Sequence, residues 1–138
     1  MLRAVLDANV FVSAYVRPEG PPGQIVDFLL RDGPLRIVMS EVIIEETLRA
    51  LRYPKVLKAA RSKEGPELWF EDLIVLAELV SGEYAIPTLS EDPDDDKYVA
   101  AAVEGRASFV VSGDPDLLTI GEHAGVRIVS PRSFLDLL

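Results

Sequence analysis

Acidic residues stand at four separated places in this chain, each beside an apolar run. Asp7 closes "RAVL" (3–6), and Glu45 and Glu46 lie within "SEVIIEETLRAL" (40–51). Asp92, Asp94, Asp95 and Asp96 crowd into "DPDDDKYVAAA" (92–102), and Asp114 and Asp116 follow "SFVVS" (108–112). Carboxylates brought together repel, by about 4 kcal/mol for two unit charges at ~4 Å and an effective dielectric of 20. Their convergence therefore requires a proton, a basic partner or a divalent cation. The chain has no cysteine and one histidine, His123. That excludes a thiolate metal site, a disulfide framework and a cysteine nucleophile, and speaks against a His-rich zinc site or a Ser-His-Asp triad. Oxygen-only ligands suit Mg2+ or Mn2+. Such an ion lowers the pKa of a bound water and stabilises charge on a phosphoryl group. Metal-assisted phosphodiester hydrolysis is the chemistry these residues best support.

Only particular elements bring those acids to one edge. "RAVL" reads as a strand ending at Asp7, and "DANVFVSAYV" (7–16) turns into a helix. "RPEGPPG" (17–23) is a break, followed by a helix over 24–33 closed by Gly33. "LRIVM" (35–39) reads as a strand, and Ser40 as the N-cap of a helix over 41–52 with Ile44, Leu48 and Leu51 as its buried stripe. Tyr53-Pro54 ends or kinks that helix, a second helix runs through 55–61, and 62–66 is a loop. A long amphipathic helix is expected over 67–80. A loop spans 84–95, where Asp92 and Asp94 serve the turn or cap the next helix, at 96–104. A strand at 108–112, a short helix over 116–124, a strand at 126–129 and a terminal helix over 132–138 complete the pattern. Alternating β and α elements imply an α/β domain with a central parallel sheet and helices on both faces. Sites in such sheets lie at the carboxyl ends of the strands, where Asp7, Glu46, Asp96 and Asp114 are expected to meet.

Composition narrows the classes further. The 138 residues suit one domain, nearly half of them are apolar, and the net charge is −9. No apolar run approaches the ~18 residues of a membrane span, and the N-terminus lacks a signal-peptide pattern. A cytoplasmic protein without a membrane partner is the expectation. The charge is uneven: "TLRALRYPKVLKAARSK" (47–63) holds six basic residues and no acidic one, leaving the remainder at −15. Arg49, Arg52, Lys55 and Lys58 lie just beyond Glu46. They form either a solvated face or a contact for a phosphate backbone that the acids would otherwise repel.

Taken in order, the fragments resemble the PIN domain family of metal-dependent nucleases, many of them ribonucleases. The resemblance covers most of the chain. It rests on "AVLDANVFVSA" with Asp7 and Asn9, "SEVIIEETLRAL" with Ser40 and Glu46, "DDDKYVAAAV" with Asp96, and "FVVSGDPDLL" with Ser112 and Asp114. Spacing from Ser40 favours Glu46 over Glu45. Asp96 is favoured over Asp95 because Val99, Ala100 and Ala101 then fall at the family helix's apolar positions. Ser112 stands where many members have threonine. "LRYPKV" (51–56) and "SGDPDLL" (112–118) look most like a prokaryotic subgroup of VapC-type toxins.

The resemblance implies a three-layer α/β/α PIN-like fold over 1–138. It further implies an endoribonuclease whose Asp7, Glu46, Asp96 and Asp114 hold Mg2+ or Mn2+ and carry the catalysis. Asn9 and Ser112 would orient the site, with support from Asp95 and Asp116. A toxin role, an antitoxin partner that blocks the cleft and a homodimer follow from the resemblance alone. Each acid also has an ordinary reading: a strand-end turn for Asp7, an N-cap before Pro115 for Asp114, a helix-surface pair with Arg49 for Glu45. Two other functions fit the same residues. One is a non-catalytic PIN module that binds RNA or protein. The other is a phosphotransfer or phosphatase α/β domain; the phosphatase needs a second aspartate two residues after Asp7, where the chain has Asn9.

Overall fold

The structure, a computed structural model, describes residues 1–31, 33–84 and 95–138. The loop expected over 84–95 lies outside them except at its two end residues, as do the roles given to Asp92 and Asp94. Parallel strands β1 (Leu2–Leu6), β2 (Leu35–Ser40), β3 (Glu78–Val80) and β4 (Phe109–Val111) form a sheet with β6 (Val126–Val129), and β5 (Glu122–His123) adds one antiparallel edge. The order is β3-β2-β1-β4-β6-β5. The chain runs outward from β1 through β2 to β3, then returns to the other side of β1 at β4. The switch in direction therefore falls between β1 and β4, where an open parallel sheet leaves a crevice at its carboxyl edge.

The central strands are mostly apolar because both faces are covered, with Arg3 and Arg36 near their starts. Ala4 and Leu6 of β1, with Ile37 and Met39 of β2, enter one core, while Val5, Val38 and Val110 enter the other. The first core is closed by α1 (Ala8–Val16), α2 (Pro21–Leu30), α5 (Pro66–Leu76) and α8 (Pro131–Leu135) through Phe11, Tyr15, Ile25, Leu29, Phe70 and Phe134. The second is closed by α6 (Asp96–Glu104) and α7 (Pro115–Ile120) through Tyr98, Val99, Ala101 and Leu117. Helix α3 (Glu41–Leu51) joins the layers, giving Leu51 to the first core and Ile43 to the second. Helix α4 (Pro54–Ala59) buries none of its residues.

Several sequence expectations shift. Helix α2 begins at Pro21, not Gln24, because proline at the first helical positions has its φ preset and needs no amide partner. Gly23 lies within that helix where a Cβ would stand 2.0 Å from the Pro18 carbonyl oxygen. The buried face of α3 is Ile43, Thr47 and Leu51, with Ile44 and Leu48 half-buried beside it, since the helix is covered on two sides. Ser40 holds the extended N-cap backbone, but its side chain makes no capping bond. The helix expected over 67–80 stops at Leu76, and Glu78–Val80 instead pair with Val38–Ser40. Ladder pairing, helped by an Arg3–Glu78 ion pair of 2.7 Å, outweighs the helical pattern there. The 116–124 helix likewise starts at Pro115 and ends at Ile120, because Gly121 takes φ +74° and a hairpin turns through Ala124 and Gly125, both at positive φ.

Candidate active site

Asp7 is the junction of β1 and α1. Its amide continues the ladder to the Val111 carbonyl at 3.0 Å. Its carboxylate then caps the helix, with Oδ1 accepting from the Asn9 amide at 2.9 Å. Oδ2 accepts from the Ser112 hydroxyl at 2.6 Å, and the Ser112 oxygen in turn accepts from the Asp114 amide at 2.9 Å. One buried hydroxyl thus ties the loops after β1 and β4 across the switch point. Asp7 is 4 % exposed and Ser112 fully buried. Burial raises the Asp7 carboxyl above the ordinary carboxylate range; the bonds from Ser112 and Asn9 oppose that rise, and the charges of Glu46 and Asp114 add to it.

Asp114 is the N-cap of α7, its Oδ1 accepting from the Asp116 amide at 2.9 Å. The capping reading of this residue holds, and among the described residues its second oxygen accepts no hydrogen bond. Glu46 is half-buried on α3. Tyr98 donates its hydroxyl to Oε1, and Lys97 forms an ion pair with Oε2. The Tyr98 oxygen also accepts from the Ala8 amide at 3.3 Å. Burial, together with the bond to Glu46, pushes the Tyr98 phenol well up and keeps it a donor.

These groups meet in a cleft of about 290 Å³ lined by Asp7, Ala8, Asn9, Glu46, Arg49, Ala50, Tyr53, Asp95, Tyr98 and Asp114. Asp7, Glu46 and Asp114 arrive as the sequence places them. Asn9 reaches the rim, and its backbone amide is what holds Asp7. From the aspartate run it is Asp95, at the N-cap of α6, that lines the cleft; Asp96 is the first helical residue and 9 % exposed. One carboxylate oxygen each from Asp95, Asp114 and Asp116 lies within 4.8 Å of the others. Of the basic residues, Arg49 lines the cleft, Arg52 pairs with Glu67 at 2.8 Å, and Lys55 and Lys58 are exposed on α4. Among the described residues no ion pair joins Glu45 to Arg49.

Sequence reasoning passed over Tyr98, Lys97 and Tyr53. Tyr98 had a usable signal: it sits among alanines and valines in "DKYVAAA", so a buried ring needs a partner for its hydroxyl. The donor set is oxygen only, three or more carboxylates without nitrogen or sulfur, which fits a hard divalent cation. An added positive charge would also relieve the cost of burying Asp7 beside Glu46 and Asp114.

Comparison with known proteins agrees with this fold. A family model described as PIN domain matches residues 3–116. The uncharacterized protein MJ1680 of Methanocaldococcus jannaschii is 23% identical over 143 residues, spanning 98% of this chain and 90% of that protein. Among solved structures, a chain of VapBC2 from Rickettsia felis, bound to a DNA fragment from its promoter, superposes with a TM-score of 0.55. That match has 13% sequence identity and covers 94% of this chain and 98% of the other, a likeness of fold.

Proposed function

This chain belongs to the PIN-domain family, and from that premise we propose that it is a metal-dependent endoribonuclease acting as the toxin of a toxin–antitoxin pair. The observation that carries the reading is the meeting of Asp7, Glu46, Asp95 and Asp114 in one cleft at the sheet's switch point. Asp7, Asp95 and Asp114, with Asp96, Asp116 and Glu46 around them, would hold Mg2+ or Mn2+. When bound, the ion supplies an acidified water and a Lewis acid for a phosphoryl oxygen. Ser112 fixes the distance between the Asp7 and Asp114 loops, so the carboxylates are arranged before substrate arrives. Glu46, held by Lys97 and Tyr98, sets the opposite wall. Arg49 at the rim offsets part of the repulsion that an RNA backbone would meet.

The partner reading draws on the fold shared with VapBC2: an antitoxin would cover the acidic cleft, and the active species would be a homodimer. The deciding experiment is cleavage of single-stranded RNA with Mn2+, Mg2+ or EDTA, comparing wild type with Asp7→Asn and Asp114→Asn. Metal-dependent cutting lost in both variants is the expected result. Cutting that persists in EDTA, or in both variants, would overturn the site. An aspartyl-phosphate trapped from a small phosphodonor would revive the phosphotransfer reading.

A further inference from the structure

Tyr53 stands at the mouth of the acidic cleft. It lines the same walls as Asp7, Glu46 and Asp114, yet the residue is 61 % exposed. Among the described residues its ring meets no other ring and no cation, unlike the packed pairs Phe11–Phe70, Tyr15–Trp69 and Phe109–Phe134. Its backbone is extended, with ψ 136°, as the residue before Pro54 must be. That conformation ends α3 and carries the ring outward at the start of a short helix with no fully buried residue. Beside it, Arg49 lines the cleft and, among the described residues, enters no ion pair. Leaving a large aromatic face in water gains nothing for folding. A nucleobase is the ligand whose chemistry fits a bare ring next to a guanidinium, one stacking and the other pairing with the adjoining phosphate. Stacking carries no charge, so it contributes in a cleft whose carboxylates repel a polyanion.

We infer that Tyr53 is a base-stacking, specificity-determining residue that takes the unstacked base beside the bond to be cut. The inference rests on the nuclease reading above and names the side chain that would contact a base at that site. A base already stacked within a duplex cannot reach the ring without first being pulled from its neighbours.

The test is steady-state cleavage of a mixed-sequence single-stranded RNA in Mn2+ by wild type, Tyr53→Ala, Tyr53→Phe and Tyr53→Trp. The same RNA annealed to its complement serves as a second substrate, and circular dichroism checks folding. Tyr53→Ala is expected to raise KM by about 5- to 150-fold with kcat little changed, the range of one lost stacking contact. Tyr53→Phe and Tyr53→Trp should stay near wild type, and the annealed RNA should be cut poorly. The Tyr53→Ala defect should also persist at every salt concentration, whereas Arg49→Ala should flatten the salt dependence. An unchanged KM in Tyr53→Ala, or equal cutting of the duplex, would overturn the inference and leave the nuclease standing. Failure of wild type to cut any RNA with either ion would remove the nuclease reading and this inference with it.

Discussion

Replacing Asp114 with asparagine should stabilise the metal-free protein while removing its response to metal. Oxygens of Asp95, Asp114 and Asp116 lie within 4.8 Å of one another. At 4.8 Å two unit charges repel by about 3.5 kcal/mol at an effective dielectric of 20, and by about 0.9 kcal/mol in water. Asp116 is exposed, which puts its pairs near the lower figure. Neutralising Asp114 takes away both of its repulsions within the trio and its repulsion of the buried Asp7. Asparagine caps a helix as well as aspartate does, so the bond from the Asp116 amide survives. Loss of the favourable charge at the α7 N-terminus offsets part of the gain, by about 0.3–1 kcal/mol. The net expectation is about 1 kcal/mol, or a rise of about 4 °C in Tm for a chain of this size. Wild type at a hundredfold excess of Mn2+ over its Kd should gain about 2.7 kcal/mol, roughly 10 °C, and the variant little. Thermal melts in EDTA and in Mn2+ measure both effects. A variant that melts lower than wild type in EDTA, or that keeps the full Mn2+ rise, would refute the reasoning.

Asp95→Asn should weaken Mn2+ binding at least about tenfold, the loss of a charged contact worth about 1.4 kcal/mol or more, as read by calorimetry; an unchanged affinity would remove Asp95 from the site. Burial raises the Asp7 carboxyl, so the stability it contributes is complete below the ordinary carboxylate range and is lost as pH rises through the raised value. As pH rises above the ordinary carboxylate range, in EDTA, the Tm of wild type should therefore fall relative to Asp7→Asn, and parallel curves would contradict the assignment. Gly23→Ala forces a Cβ to 2.0 Å from the Pro18 carbonyl oxygen; the overpacking should cost about 1–3 kcal/mol in denaturant melts, and a neutral result would mean that the turn before α2 yields easily.

The layered fold was legible because its central strands are short apolar runs bounded by turns, and because helical patterns alternate with them. What the pattern misplaced lies at the sheet's margins. Residues 78–80 follow a helical pattern locally, and only the ladder to β2 makes them a strand. Strand β5 is two residues long and its hairpin depends on positive φ at Ala124 and Gly125, too little chain to show a period. That Asp7, Glu46 and Asp114 come to one cleft was legible because each stands at a fixed step from a strand end or helix start. Which of the adjacent aspartates lines the cleft was not, since they differ only in which way the helix start turns them.

The sequence alone determined the chemistry on offer. Carboxylates without cysteine, and with one histidine, limit any metal site to oxygen ligands and a hard cation, whatever the fold. It also determined the apolar alternation that builds a two-faced sheet. The tertiary structure decided which acids meet. Ser112 joins Asp7 to the Asp114 loop only because β4 lies beside β1, and Glu46 faces Tyr98 and Lys97 across a gap of more than fifty positions in sequence. Such pairings are set by sheet order and helix docking, which join residues far apart in the chain and leave no local pattern to read.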